Sequence, residues 1–111
     1  LRRYSTALVL NPFKGHSDNK RDVTLKNNHE TLAEFAWLDG AILFNSKGIA
    51  SDAGRYIQVP AGINPKPGEG GRHLAARAIS QLADSIAICV SSSGVITLYS
   101  KGRERYRVRL S

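Results

Sequence analysis

A segment rich in proline and glycine, residues 60–71, constrains the fold of this chain more than any other feature. It holds three of the four prolines and four of the ten glycines, so we expect no regular helix or strand within it. An amphipathic pattern begins where the segment ends, with apolar residues at helical spacing over 72–83. The spacing predicts a helix there, and the other elements must form on either side of the irregular stretch.

Short apolar runs separated by turn residues predict the strands. These are 5–10, 41–44, a returning strand from residue 49 with a further candidate at 56–59, a buried strand at 85–90, and 95–99. A second helix is predicted over 24–37, and the polar stretch 13–28 is expected to form a loop. Helices interspersed with hairpins predict an α/β fold, with a mixed central β-sheet flanked by helices.

Composition narrows the classes of protein. The chain has 111 residues, and sixteen Lys and Arg against nine Asp and Glu give a net charge of +7, which favours anionic partners. No apolar run approaches the ~20 residues of a membrane helix. The single cysteine, Cys89, cannot form an internal disulfide, and we expect it in the core. The length predicts one domain over 1–111. Because the chain lacks Met and begins at Leu1, we expect this domain to be excised from a longer protein, and the cytoplasm is its expected location.

Five of the basic residues lie in the last eleven positions, and four of them are arginines at alternate positions. These four are Arg103, Arg105, Arg107 and Arg109. A strand would place them on one face and turn Tyr106, Val108 and Leu110 toward a core. The stripe could bind the phosphates of nucleic acid. The favoured interpretation is the solvated face of an edge strand, where like charges discourage pairing with other strands.

The end of the glycine-rich segment is a candidate phosphate site. Gly70 and Gly71 lead into Arg72 and His73, where the predicted helix exposes unpaired N–H groups and the positive end of its dipole. Glycines let a phosphate approach the backbone, and the two side chains add donors. The pattern matches neither a P-loop nor a dinucleotide fingerprint, so an ordinary loop followed by an exposed arginine remains the alternative.

Asp39 is a candidate metal ligand or general base. It stands between a predicted helix and an apolar strand, and the small residues Gly40 and Ala41 leave room for a ligand. A carboxylate there can bind Mg²⁺ or Mn²⁺, or accept a proton from a hydroxyl. The alternative is a turn residue that ends the helix. Trp37 is expected in the core rather than stacked on a base, and the other histidines, His16 and His29, at the surface.

Four motifs occur in order along the chain. They are Asp39-Gly40-Ala41, Gly71-Arg72-His73-Leu74-Ala75-Ala76, Ala78-Ile79-Ser80 and Ala87-Ile88-Cys89-Val90-Ser91. Together they resemble the diadenylate cyclase domain, the catalytic domain of cyclic di-AMP synthases, over residues 32–102. The resemblance implies condensation of two ATP molecules into cyclic di-AMP with release of pyrophosphate. It also implies Mg²⁺ or Mn²⁺ and a homodimer or higher homo-oligomer in which two domains face each other, each supplying half of the site.

The resemblance also implies a role for individual residues. Asp39 would hold the metal and activate the attacking hydroxyl, as the catalytic residue. The nucleotide-binding residues would be Gly40, Ala41, Ile57, Gly71, Arg72, His73 and Ser91. Among them, Arg72 and His73 would hold the phosphates, Ile57 would contact adenine, and Ser91 would be a further ligand contact.

Several residues depart from the family pattern. Gly71 stands where the family usually has Thr, Leu74 where a third basic residue is common, and Ser92 and Ser93 where acidic residues often follow. These changes remove phosphate contacts and metal ligands, although Arg77, one turn beyond His73, could either compensate or face solvent. A catalytically inactive, nucleotide-sensing domain is therefore the alternative to an active cyclase, and nucleic-acid binding through the arginine stripe is a third hypothesis.

Overall fold

The computed structural model of the protein describes residues 1–110. These divide into two units, one over Arg2–Ile57 and the other comprising Leu1 and residues 58–110. The first contains the strands β1 (Ser5–Ala7), β2 (Ala41–Phe44) and β3 (Ala50–Ile57) and the helices α1 (Asp18–Arg21) and α2 (His29–Phe35). The second contains the helix α3 (Gly71–Leu82) and the strands β4 (Ile86–Val90), β5 (Val95–Ser100) and β6 (Arg103–Arg109). Short 3₁₀ turns cover Arg2–Tyr4 and Lys26–Asn28.

The first unit is built on an antiparallel sheet with the strand order β1-β3-β2. Its central strand β3 carries small and polar residues along most of its length, and the apolar core is completed from the loop before α1 and from α2. The core cluster comprises Phe13, Leu32, Ala50 and Ala53, with Phe35, Ile42 and Phe44 packed against it. Helix α2 therefore lies on this sheet through one apolar face.

The predicted loop 13–28 is more ordered than its polar composition suggests. Phe13 is buried and its ring packs edge-on against Phe35, with the ring centroids 4.9 Å apart. Helix α1 lies inside the segment, and its Arg21 donates to the carbonyl of Ala50 on β3 at 2.6 Å. The helix predicted over 24–37 begins only at His29, because Lys26–Asn28 form a 3₁₀ turn before it.

The second unit confirms the helix predicted over 72–83 and the hairpin formed by the strands predicted at 85–90 and 95–99. Helix α3 packs against β4 and β5, and the irregular segment before it contains neither helix nor strand up to Gly70. The core cluster of this unit is Ala76, Cys89 and Tyr99, with Ala87 beside it. Burial of Cys89 confirms the expected core position, and the same burial raises the pKa of its thiol.

The α/β class is confirmed, but the expected mixed central sheet is wrong. The described residues form two three-stranded sheets, and the second has the order β4-β5-β6. Every strand pair is antiparallel. Tight turns at 45–48, 91–94 and 101–102 join neighbouring strands directly. Such short connections cannot make the crossover that parallel strands need.

Strand β4 is not buried as predicted. Its residues alternate, so Cys89 faces α3, whereas Ile86, Ile88 and Val90 are more than half exposed. The continuous apolar run predicted burial on both faces, but α3 covers only one face of this sheet within the second unit. The uncovered face also carries Tyr106, paired with Leu98 and 65% exposed, which corrects its expected core position.

The arginine stripe predicted along β6 is broken by a bulge. Tyr106 pairs with Leu98, but the next pair joins Glu104 to Tyr99, so Arg105 is an extra residue at the bulge. Arg107 and Arg109 therefore lie on the face of Tyr99, while Arg103, opposite Ser100, lies on the other face. Leu110 is also exposed rather than in the core. The stripe geometry that motivated nucleic-acid binding is absent from the described strand.

No helix within residues 1–110 combines the length and apolarity needed for a membrane span.

Candidate functional site

The start of α3 contains the predicted phosphate-binding residues of the second unit. Gly70 is the N-cap with an extended backbone, and its carbonyl accepts the first helical bond from the N–H of Leu74 at 3.0 Å. No side chain caps the helix, so the N–H groups of its first turn remain available to a ligand. Gly71 is exposed, and a Cβ added there would meet nothing within 4 Å. No steric restriction in the second unit therefore requires glycine at this position.

Arg72 and His73 stand at this helix start in different surroundings. The Arg72 side chain is exposed and pairs with no carboxylate of the described second unit. The His73 ring is half-buried, and its Nδ1 lies 3.0 Å from the hydroxyl oxygen of Tyr99 on β5. One flexible guanidinium and one fixed imidazole thus share the positive end of α3, an arrangement suited to an anion.

Arg77 is not available to a phosphate, although the sequence left that possibility open. Its side chain is only 10% exposed, and Nε and Nη2 donate to the two carboxylate oxygens of Glu69 at 2.9 and 2.8 Å. Nη2 also donates to the carbonyl of Asn64 at 2.7 Å. Hydrogen bonds from Arg77 are the main cause that lowers the pKa of Glu69 to about 2. Arg77 therefore anchors the glycine-rich segment to α3.

Ser91 lies at the end of β4 and closes the hairpin. Its Oγ accepts the N–H of Val95 at 3.0 Å and lies 2.9 Å from the Oγ of Ser93. Its backbone N–H also donates to the carbonyl of Val95. The hydroxyl has a structural task in the turn, and its predicted ligand contact stays a prediction. Ser92 and Ser93 are exposed.

Asp39 and Gly40 are two of the predicted site residues that lie in the first unit. Asp39 is exposed and makes no ion pair within residues 2–57. Gly40 has φ +94°, and a Cβ there would lie 2.6 Å from the carbonyl oxygen of Arg55 on β3. The backbone contact explains the glycine without any ligand. Ala41 follows, half-buried, and pairs with Arg55 as β2 begins.

Ile57 is placed differently from the other predicted nucleotide contacts. It ends β3, pairs with Ser5 and is only 9% exposed. Most of its side chain is covered, and its predicted contact with adenine stays a prediction. Trp37, expected in the core, is 91% exposed, two residues before Asp39. Helix α2 ends at Phe35, so Trp37 lies in the turn that follows rather than on the helix's buried face.

Sequence reasoning missed a buried carboxylate on β3. Asp52 is 3% exposed and accepts hydrogen bonds from Arg2 Nε at 2.8 Å, Ser51 Oγ at 2.8 Å and Asn11 Nδ2 at 3.2 Å. Burial acts to raise the pKa of Asp52, but these bonds and the charges of Arg2 and Arg55 outweigh it and lower the pKa. An acidic residue within a predicted strand was the available signal. The network ties the N-terminal segment to the sheet.

Asp39 fits a hard cation such as Mg²⁺ or Mn²⁺, because it offers exposed carboxylate oxygens. Within residues 1–110, however, no three side chains of His, Cys, Asp or Glu come together to hold a metal ion. Mg²⁺ is commonly bound by one or two carboxylates together with substrate phosphates and water. Asp39 could therefore supply only part of a coordination shell, and the substrate would have to supply the rest.

A comparison with known protein families defines the class of this chain. The family model described as "DisA bacterial checkpoint controller nucleotide-binding", abbreviated DAC, matches residues 7–104. The chain belongs to this family. The match extends over parts of both units, and it confirms the resemblance carried by the four sequence motifs.

Two curated relatives are called diadenylate cyclase. The chain is 36% identical over 100 residues to the protein from Methanocaldococcus jannaschii, covering 89% of this chain and 31% of that relative. It is 35% identical over 74 residues to the protein from Haloferax volcanii, covering 65% of this chain and 28% of that relative. The chain thus spans about a third of the length of the curated relatives it matches.

Proposed function

We propose that this chain is a diadenylate cyclase domain that condenses two ATP molecules into cyclic di-AMP and two pyrophosphates. The observation that carries the proposal is the start of α3, where uncapped N–H groups, the exposed Arg72 and the half-buried His73 meet. That arrangement suits a triphosphate, and membership of the family favours ATP over other anions.

The chemistry consists of two displacements. In each, the 3′-oxygen of one ATP forms a bond to the α-phosphorus of the other, and the bond from that phosphorus to the β-phosphate bridging oxygen breaks. Pyrophosphate leaves with the bonding electrons, and the hydroxyl proton passes to a base. Catalysis then requires mainly alignment and neutralisation of charge. Arg72 and His73 would hold the phosphates through charge and hydrogen bonds.

Asp39 is the residue we assign to the hydroxyl. Its exposed carboxylate can accept the proton, and within residues 2–57 no cation competes for it. Mg²⁺ or Mn²⁺ bound at Asp39 would neutralise phosphate charge. Gly40 and Ala41 would lie against the nucleotide, and Gly71 and Ser91 would add contacts at the start of α3 and at the end of β4.

A homodimer supplies what one chain lacks. Formation of cyclic di-AMP needs two ATP molecules, each presenting its hydroxyl to the other, and one chain offers one Asp39 and one α3 start. Two chains facing each other would bring two such sets together with a symmetric pair of substrates. The face-to-face arrangement belongs to the proposal, as does dependence of the rate on chain concentration.

The test is incubation of the chain with ATP and Mn²⁺ or Mg²⁺, with the products resolved by mass. We expect cyclic di-AMP from the parent and none from Asp39→Asn, because the amide can neither accept the proton nor hold the metal as a carboxylate does. Asp84→Asn is the matched control, an exposed aspartate before β4 that the proposal does not use. Activity of Asp39→Asn equal to that of the parent would remove the role of Asp39.

The alternative is a catalytically inactive domain that senses a nucleotide. The observation in its favour is that Arg77 is held by Glu69 and Asn64, so it does not replace the basic residue missing at Leu74. This alternative predicts saturable binding of ATP or cyclic di-AMP with no product after long incubation with Mn²⁺. Chain concentrations high enough to force dimers distinguish it from a cyclase that is merely dissociated.

A further inference from the structure

The hydrogen bond between His73 and Tyr99 leads to an inference about Tyr99, which lies outside the four sequence motifs. Tyr99 is 4% exposed and lies in the cluster with Ala76 and Cys89. Its strand β5 is the central strand of the sheet. Tyr99 pairs with Ala87 of β4 on one side and with Glu104 of β6 on the other. The phenol is therefore held by a rigid element, and its oxygen lies 3.0 Å from Nδ1 of His73.

The direction of this hydrogen bond follows from counting donors and acceptors. A buried hydroxyl is costly if its proton finds no acceptor. Within residues 1–110, His73 Nδ1 is the partner found for the Tyr99 hydroxyl. If Nδ1–H donated to the phenol oxygen, the phenol proton would have no acceptor among the described residues. A donating phenol satisfies both groups, and an imidazole that accepts at Nδ1 carries its proton on Nε2.

The surroundings keep the phenol in its donating form. Burial, followed by the nearby groups Cys89, Glu104 and Glu69, raises the pKa of Tyr99, while Arg107 acts in the opposite direction. The ring planes of His73 and Tyr99 stand at 69°, with centroids 6.2 Å apart, so the two rings also pack edge to face. Removing the hydroxyl alone would preserve that packing.

We propose that Tyr99 is a positioning residue, whose hydroxyl holds His73 as the Nε2–H tautomer and so presents Nε2–H as a hydrogen-bond donor to an ATP phosphate. Nε2 makes no hydrogen bond within residues 1–110 and lies across the ring from Nδ1. The identity of the ligand rests on the proposed function; the tautomer rests on the contact with Tyr99 alone. Neighbouring Arg72 would contribute positive charge to phosphate binding, whereas the Tyr99–His73 pair would orient a hydrogen-bond donor toward the phosphate.

Tyr99→Phe is the variant that tests the proposal, because it deletes the hydroxyl and retains the ring. Tyr106→Phe is the matched control, a tyrosine on β6 that is 65% exposed on the opposite face of the same sheet. The first readout is the ¹⁵N chemical shifts of the imidazole nitrogens, which report the tautomer whether or not the chain is active. The sequence has three histidines, so His73→Asn assigns the signals.

The second readout is the affinity of ATP with Mg²⁺, measured by calorimetry on the same variants. We expect the Nε2–H tautomer in the parent, a mixture of tautomers in Tyr99→Phe, and a Kd for ATP raised about three- to tenfold, the range of one hydrogen bond. Tyr106→Phe should match the parent in both readouts. Thermal unfolding of each variant shows that the fold is retained.

Two results would overturn the proposal while ATP still binds. One is an unchanged tautomer in Tyr99→Phe, and the other is a changed tautomer with an unchanged Kd. If no variant binds ATP although the tautomer responds as expected, the proposed function fails and the ligand half of this proposal fails with it. The separate readouts therefore show which of the two is wrong.

Discussion

Glu69 and Arg77 form a two-point ion pair in which both carboxylate oxygens accept from the guanidinium, at 2.9 and 2.8 Å. Glu69 belongs to the glycine-rich segment and Arg77 to the second turn of α3, so the pair fixes the approach to the helix start. Glu69 also accepts the backbone N–H of Lys66 at 3.1 Å. A segment that composition marks as irregular is thereby held in one conformation.

Acidification should weaken this unit through Glu69. Its pKa in the folded state, about 2, lies below its usual 4.5, so its stabilisation is complete above pH 4.5 and is lost as the pH falls toward 2. Glu69→Gln should lower the free energy of unfolding by about 3 kcal/mol at neutral pH, because Arg77 is left buried without a counter-charge. Urea titrations between pH 2 and 7 measure both effects.

Glu34→Gln, at an exposed glutamate of α2, is the control for that measurement. Its stability should stay within about 0.5 kcal/mol of the parent's and keep the parent's dependence on pH. An equally steep loss of stability in acid for Glu69→Gln and for the parent would contradict the assigned pKa.

Two of the glycines predicted to bind nucleotide should respond oppositely to substitution by alanine. Gly71→Ala should stabilise the chain by about 0.5–1 kcal/mol, because its Cβ meets open space and the unfolded chain loses freedom. Gly40→Ala should destabilise it by about 2 kcal/mol or more, because φ is +94° and the Cβ would lie 2.6 Å from the Arg55 carbonyl. Thermal unfolding of both variants decides, and equal effects would contradict the structure around Gly40.

Gly71→Thr should increase the affinity for ATP about three- to tenfold. The space around Gly71 accepts a side chain, and a hydroxyl there would add a donor at the uncapped start of α3. Calorimetric titration with ATP and Mg²⁺ measures the change, with Gly71→Ala as the control that adds a Cβ without a hydroxyl. Equal affinities for the two variants would show that the hydroxyl does not reach the phosphates.

Trp37 offers a direct probe of the region beside Asp39. It is the only tryptophan in the sequence and is 91% exposed, so acrylamide should quench its fluorescence in the folded chain nearly as well as in urea. ATP with Mg²⁺ should reduce the quenching if nucleotide binds at Asp39, because the ligand would cover part of the indole. Strong shielding of the indole without nucleotide would contradict its exposed position.

Local patterns predicted the elements whose stability is local. The helix from 72 to 83 and the hairpin after it followed from apolar spacing and turn residues, and both are present. The alternation along β6 was also visible, but the bulge at Arg105 was not. A bulge is a property of two paired strands, and β6 alone does not encode where its partner shifts register.

The errors concern burial, which depends on what covers an element. Ile88 was predicted buried and Arg77 was left free to face solvent, yet Ile88 is 62% exposed and Arg77 is buried. Composition cannot reveal that α3 covers one face of β4 only, or that Glu69 neutralises the arginine. Tyr99 was missed as a neighbour of His73 for the same reason, since 26 positions separate them.

The close approach of the Arg55 carbonyl to Gly40 means that substitutions at Gly40 and at the adjacent Asp39 would be selected against for different reasons. A change at Gly40 disturbs the folded backbone, so it is selected against in any chain that still folds. A substitution at Asp39 breaks no ion pair within residues 2–57 and would leave the free energy of unfolding unchanged. A relative that had lost its chemistry would therefore keep the glycine and drift at the aspartate, which makes the carboxylate, rather than the Asp-Gly pair, the informative mark of activity.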